Sequence, residues 1–178
     1  DTSSTVLMFS WKYISKTSTK ISVERRAEES DAYAEIGTVS SKGTTYKDKK
    51  AAAGATYYYR VRATNGSGDS DYSNEASATT LLPAPSGLSA KAISSKEIDL
   101  AWTDNSKDEK KCSGERKTGS GGTYAEIGKA SANAFSYKDK KAAAGTKYYY
   151  RVRAVKTLSK KTYYSKYSNE TDATSKPK

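Results

Sequence analysis

Apolar residues in this chain recur at every second position, in short runs separated by polar turns. Leu7, Phe9 and Trp11 alternate with Met8 and Ser10, and Ile98, Leu100 and Trp102 alternate with Asp99 and Ala101. A period of two sets one group of side chains on one face of a strand and the other group on the opposite face. In the run from Tyr57 to Ala63 the same rule puts Tyr57, Tyr59, Val61 and Ala63 together, with Tyr58, Arg60 and Arg62 behind them. Clusters of Gly, Ser, Asn and Asp fall between the runs and read as turns. No segment carries a helical period. The two Lys-Lys-Ala-Ala-Ala-Gly stretches, 49–54 and 140–145, consist largely of helix-forming residues but are too short to hold a helix alone. The pattern predicts an all-β chain.

The runs also repeat. Tyr33–Gly37 returns as Tyr124–Gly128, Tyr46–Gly54 as Tyr137–Gly145 and Tyr57–Ala63 as Tyr148–Ala154, while Trp11 matches Trp102 and Glu24-Arg25 matches Glu115-Arg116, all at an offset of 91. At Tyr72-Ser-Asn-Glu75 and Tyr167-Ser-Asn-Glu170 the offset becomes 95, so the second copy holds four extra residues between Ala154 and Tyr167. A period near 90 residues is a domain rather than a solenoid unit. The reading gives a module over residues 1–80, a linker over 81–85 and a second module over 86–178. Pro83 and Pro85 favour an extended, fairly stiff joint.

These residues resemble fibronectin type III domains, particularly those of bacterial secreted proteins. The features are Trp11 and Trp102, the Glu-Arg pairs, the Gly-x-x-Tyr-x-Tyr-Arg-Val-Arg-Ala strands, the Tyr-Ser-Asn segments and Trp102-Thr-Asp-Asn-Ser106. The resemblance implies two tandem immunoglobulin-like β-sandwiches of about seven strands, with Tyr57 and Tyr148 as corner tyrosines. The chain departs from the pattern at three places. Ala51 and Ala142 stand where the family usually has Leu. Cys112 and Gly114 replace Ile21 and Val23, which predicts a weaker second core. Strand A of the second module spans roughly Ser86 to Ala92, and subtracting 91 puts its counterpart before residue 1, so the first module is expected to lack strand A. Two explanations stay open: the chain is a fragment, or a neighbouring polypeptide supplies the strand, as in a filament subunit.

Composition narrows the chemistry. The 178 residues include no His and one Cys. That excludes a Ser-His-Asp triad, a Cys-His pair, a His-containing zinc site and an internal disulfide. No activated nucleophile, metal site or phosphate loop is evident, so the reading is a non-enzyme without cofactors. No apolar run reaches membrane-helix length. The implied role is a structural or adhesive module, extracellular or on a cell surface, with other protein chains or copies of itself as partners.

Charge supplies the alternative. Residues 1–82 hold 11 Lys/Arg and 10 Asp/Glu, net +1; residues 83–178 hold 20 and 10, net +10. The enlarged segment of the second module brings Lys156, Lys160, Lys161, Tyr163, Tyr164 and Lys166, and a nearby loop adds Lys107, Lys110 and Lys111. These residues form either a tip for an anionic polymer or glycan, with nucleic acid the less favoured polyanion, or an interdomain contact with the acidic Ala27–Asp31 loop. The Arg60/Arg62 and Arg151/Arg153 pairs are read as a solvated face paired to Glu24 and Glu115. Cys112 is read as a core residue rather than a reactive thiol. Asp104, Asp108 and Glu109 are read as loop carboxylates. Asn65 and Asn169 head glycosylation sequons.

Overall fold

The computed structural model describes residues 6–12, 17–158 and 160–178. The chain divides into two compact units, one running to Leu81 and the other from Leu82 to Lys178. Every regular element among the described residues is a strand. The alanine-rich segments stay irregular, consistent with their length.

The first unit opens with β1 (Leu7–Ser10), which pairs antiparallel with β4 (Thr45–Asp48). Its second sheet runs β3 (Ala34–Ser40), β2 (Lys20–Ala27), β5 (Thr56–Asn65), and both β6 (Gly68–Asp69) and β7 (Ala76–Thr79) pair with β5. Along β5 the side chains alternate between buried and half-buried, as a period of two demands. Ile21, Val23, Val61 and Ala63 are the buried centre, and Phe9, Trp11, Ile36, Val39 and Tyr46 lean on it from partly exposed positions.

The second unit repeats this plan and adds a strand. β8 (Ser86–Ala92), β9 (Ile98–Thr103) and β12 (Ser136–Asp139) form one sheet in the order β12–β9–β8. The facing sheet runs β11 (Ala125–Ser131), β10 (Lys111–Thr118), β13 (Lys147–Leu158), with β14 (Lys161–Tyr164) and β15 (Thr171–Thr174) on β13. Among the described residues the first unit has no equivalent of β8. Among the described residues the buried centre is larger here: Leu88, Ile98, Leu100, Trp102, Cys112, Ala142, Tyr148, Tyr150 and Val152. The expectation of a weaker second core therefore fails in packing. β8 contributes Leu88 to this cluster and pairs with β9, while Cys112 and Gly114 stand where the first unit has Ile21 and Val23.

One glycine pair explains a recurring contact. Tyr46 and Tyr137 donate their hydroxyls to Ile36 O at 2.8 Å and Ile127 O at 2.9 Å. A side chain at Gly37 or Gly128 would collide with those hydroxyls. Tyr57 and Tyr148 form corners despite Ala51 and Ala142: each hydroxyl accepts a backbone N–H, from Ala52 or Ala143, at 3.0 Å. Both alanines are buried beside them.

Candidate functional site

The enlarged segment of the second unit is not a loop. Val155–Leu158 and Lys161–Tyr164 pair antiparallel as a hairpin, with Val155 opposite Tyr164 and Lys156 opposite Tyr163. Valine, threonine and tyrosine favour a pleated strand, and alternation turns Lys156 and Tyr163 inward, leaving them 6% and 8% exposed. Those two residues therefore depart from the expected surface tip. Lys107, Lys110, Lys111, Lys160, Lys161, Tyr164 and Lys166 remain exposed. The Lys110 N–H donates to Val155 O at 2.8 Å, so the Lys110-Lys111 corner abuts the base of the hairpin. Tyr164 carries the Arg153 guanidinium 4.1 Å over its ring.

The arginine-bearing face is built, not merely solvated. Arg60 lies between Tyr33 and Tyr72, its guanidinium carbon 3.9 and 3.6 Å from the ring centroids. Its Nε and Nη2 donate to Glu24 Oε2 at 2.9 and 2.8 Å, and the Tyr72 hydroxyl donates to Glu24 Oε1 at 2.7 Å. Arg151 repeats the arrangement between Tyr124 and Tyr167 at 3.9 and 3.7 Å, with Glu115 accepting from Arg151 at 2.9 and 2.7 Å and from Tyr167 at 2.6 Å. Burial pulls both glutamates up, but the tyrosine and arginine donors outweigh it and hold each carboxyl below its ordinary range. A guanidinium between two aromatic faces gains from both ring quadrupoles. The pairing to Glu24 and Glu115 was legible in the sequence. The stacking was not, although the recurrence of Tyr33 and Tyr72 at both offsets was an available signal.

A second polar cluster sits deeper. Asp48 Oδ2 accepts from Arg25 Nη1 at 2.6 Å and from the Tyr59 hydroxyl at 2.9 Å, and its Oδ1 accepts the Lys50 N–H at 2.9 Å. Burial raises the Asp48 carboxyl, yet the Lys50, Arg25 and Tyr59 donors together leave it below its usual value. Asp139 repeats the set with Arg116 at 2.7 Å, Tyr150 at 3.0 Å and the Lys141 N–H at 3.1 Å. Nothing in the alternation pointed to these aspartates.

Two of the three loop carboxylates accept backbone donors: Asp104 accepts the Ser106 N–H at 3.0 Å, and Glu109 accepts the Asn133 N–H at 2.7 Å. Cys112 is 1% exposed, and burial pushes its thiol up to about 11. Among the described residues no cluster of His, Cys, Asp and Glu could hold a metal ion.

The chain matches a two-domain fibronectin type III segment from chicken tenascin, with a TM-score of 0.81 at 17% identity, covering 98% of this chain and 94% of that one. Each unit has the fibronectin type III fold. A three-domain segment, FN1–FN3 of chicken CNTN1, matches with a TM-score of 0.46 at 20% identity, covering 98% of this chain and 63% of that one. No family model matches the sequence, and no curated protein matches it significantly.

Within the fibronectin type III fold, the two sequons occupy different settings. Asn65 is exposed at the β5–β6 turn, where its Oδ1 accepts the Ser67 N–H at 2.8 Å. Asn169 is exposed as well but is engaged: its Oδ1 accepts the Leu88 N–H at 2.8 Å and its Nδ2 donates to Leu88 O at 2.9 Å. One of the two Nδ2 hydrogens thus holds β8.

Proposed function

We propose that the chain is a non-catalytic structural or adhesive part of an extracellular or cell-surface protein, built from modules at 1–80 and 86–178 joined by the 81–85 linker. The observation that carries this reading is the fate of the polar side chains. In each unit the glutamate, arginine and tyrosine side chains of the exposed sheet face are tied to one another through Glu24 or Glu115. Paired this way they stiffen a face and leave no acid, base or nucleophile poised for chemistry. In this reading other protein chains or copies of the chain itself are its partners, so the chain is a subunit of an assembly. Head-to-tail addition that does not close extends such an assembly into a filament. The test is to label intact source cells with an antibody raised against the folded chain and to fractionate them. Surface labelling and retention with the envelope or matrix are expected. Recovery in the cytosol, or turnover of an ester, glycoside or peptide substrate lost on a point mutation, would overturn the reading.

One observation favours a second reading, a binding module for an anionic polymer. Lys107, Lys110, Lys111, Lys160 and Lys166 are exposed and form no ion pair among the described residues. Retention of the chain on heparin should then fall steeply with salt, because neutralising a polyanion releases counterions. The double change Lys160→Glu and Lys161→Glu should abolish that retention. Elution at low salt by the unaltered chain removes this reading.

A further inference from the structure

At the end of the strand that bears the paired arginines, the two units carry opposite charge. Residues 64–71 of the first unit hold Asp69 and Asp71 and no Lys or Arg, while the matching residues 155–166 of the second hold Lys156, Lys160, Lys161 and Lys166 and no Asp or Glu. The first segment turns through β6, where Asp69 takes the Arg62 guanidinium at 2.8 Å. The second continues as the β13–β14 hairpin, and Arg153, the counterpart of Arg62, meets a ring there instead of an acid. Its guanidinium carbon lies 4.1 Å from the centroid of Tyr164 and 4.7 Å from that of Tyr167. Among the described residues its one carboxylate contact is Glu115, at 3.3 Å.

Strand register sets this ring beside a lysine. Tyr164 stands opposite Val155 on β13, and Val155 stands opposite Lys111 on β10. Residues directly opposite across a ladder share one face, so the three form a row. With neighbouring strands about 4.8 Å apart, the two ends of the row lie about 10 Å from each other. Val155 is the buried floor between an exposed Lys111 and an exposed Tyr164. Arg153 occupies one face of the Tyr164 ring; among the described residues no cation or ring covers the other.

We infer that this row is a subsite for one acidic pyranose of a polysaccharide. The flat C–H face of the sugar lies on the free face of Tyr164, the sugar's carboxylate or sulfate is held by Lys111, and Arg153 fixes the ring's orientation. The inference rests on the anionic-polymer reading above and names the unit recognised. A free aromatic face by itself suits a cation, but Lys111 at the other end of the row and the lysines of the hairpin repel one. An acidic sugar meets both demands, since it brings an apolar face to the ring and an anion to the lysine. Single-stranded nucleic acid fits less well, because it is held by successive bases stacked on several rings, and this row offers one.

The probe is a heparin hexasaccharide titrated at low salt into the full ¹⁵N-labelled chain, with the sugar protons observed as well. Saturable amide shifts are expected at Lys111, Val155 and Tyr164, and the protons of one sugar ring should move upfield, as protons over an aromatic face do. Tyr164→Ala should weaken binding about tenfold and abolish the upfield movement, while Tyr164→Phe keeps both. Lys111→Gln should weaken the hexasaccharide but not a neutral xylan hexasaccharide, which binds feebly from the start. The sugar-proton shifts are read on the unaltered chain, so they decide the matter even if a variant folds poorly. Sugar protons that stay in place, or equal affinity for a polyglutamate of the same charge, would overturn the inference and leave the anionic-polymer reading standing. Tighter binding of a single-stranded oligodeoxythymidylate at the same residues would assign the row to nucleic acid and overturn it too. No saturable shift with any of these anions would remove both.

Discussion

The strand pair β1–β4 in the first unit and β9–β12 in the second are built from matching residues, yet one stays half-wet and the other is dry. Leu7, Phe9 and Trp11 are all partly exposed, and Met8 between them is 68% exposed. Their counterparts Ile98, Leu100 and Trp102 are 0, 1 and 6% exposed. Alternation decides which face a side chain takes; whether that face dries depends on a neighbouring element. In the second unit that element is β8, fixed by one apolar anchor and one amide. The first unit partly compensates with aromatic bulk. Phe9, at the position of Leu100, packs 4.5 Å from Tyr59 and 5.9 Å from both Trp11 and Tyr46 between ring centroids.

The sharpest way to break this comparison is to remove what holds β8. Leu88→Ala should cost the second unit about 2–5 kcal/mol, since it deletes a buried aliphatic and leaves a cavity. Asn169→Ala should cost about 1–3 kcal/mol, because the Leu88 N–H and C=O lose their partner. Each is read by denaturant unfolding of the full chain with Trp102 as the reporter in a Trp11→Phe background, and with Trp11 as the reporter in a Trp102→Phe background. The Trp11 transition should not move. An unchanged Trp102 transition would show that β8 is not what dries that sheet.

Next in size is a change that should strike both units alike. Asp48→Asn and Asp139→Asn each strip a buried acceptor from an arginine and a tyrosine, a loss of about 3 kcal/mol when a buried pair is broken. The two sets of distances match closely, so the two costs should match as well. A difference larger than 1 kcal/mol, an order-of-magnitude margin for context, would mean that the units differ in more than β8.

The parts of this architecture that were legible in the sequence are those governed by a period or a repeat. Tyr57, Tyr59, Val61 and Ala63 announced a buried face by alternation, and the offset of 91 carried that reading to the second unit. Cys112 was legible as core because it aligns with Ile21. What stayed hidden depends on contacts between distant segments. Asp48 sits in a lysine-rich stretch that reads as solvent-exposed, and only folding brings Arg25 and Tyr59 to it. Lys156 belongs to a polar run, yet pairing with Tyr163 turns it inward. Asn169 reads as a sequon because a tripeptide carries no trace of Leu88, 81 residues away. The second core was misjudged for a related reason: the substitutions at Cys112 and Gly114 are local, while the gain from β8 comes from a separate strand.

Acid should weaken both units through the same kind of group. Glu24 and Asp48 in the first unit and Glu115 in the second are held below their ordinary values. Each binds its proton at lower pH folded than unfolded, so its contribution is complete above the unfolded values, about 4.3 for Glu and 3.9 for Asp, and is lost as pH falls below them. The unfolding midpoint should stay flat from about pH 8 to about pH 5 and then decline. Tyr72→Phe and Tyr167→Phe should flatten that decline in their respective units, since each removes a donor to the glutamate. A midpoint that rises on acidification, or a slope indifferent to both changes, contradicts this account.

The smallest expected effect is a gain. Gly114 is buried in β10 where the first unit has Val23. A methyl group added there would meet Ile127 Cγ1 at 3.7 Å and the Gly128 carbonyl oxygen at 3.9 Å, both ordinary contacts. Glycine inside a strand costs roughly 0.5–1 kcal/mol relative to alanine, because it loses more freedom on folding and packs nothing. Gly114→Ala should therefore raise the stability of the second unit by about that amount and leave the first unchanged, as followed by Trp102. Gly114→Val then asks whether the two cores are interchangeable at this position. In the first unit, Val23 fits beside Ile36, the counterpart of Ile127, and is fully buried. If β10 and β11 offer the same room, valine adds to the gain of alanine. If Ile127 has settled into the space above Gly114, valine reverses it, and the second core has repacked around its glycine rather than kept a vacant copy of the first.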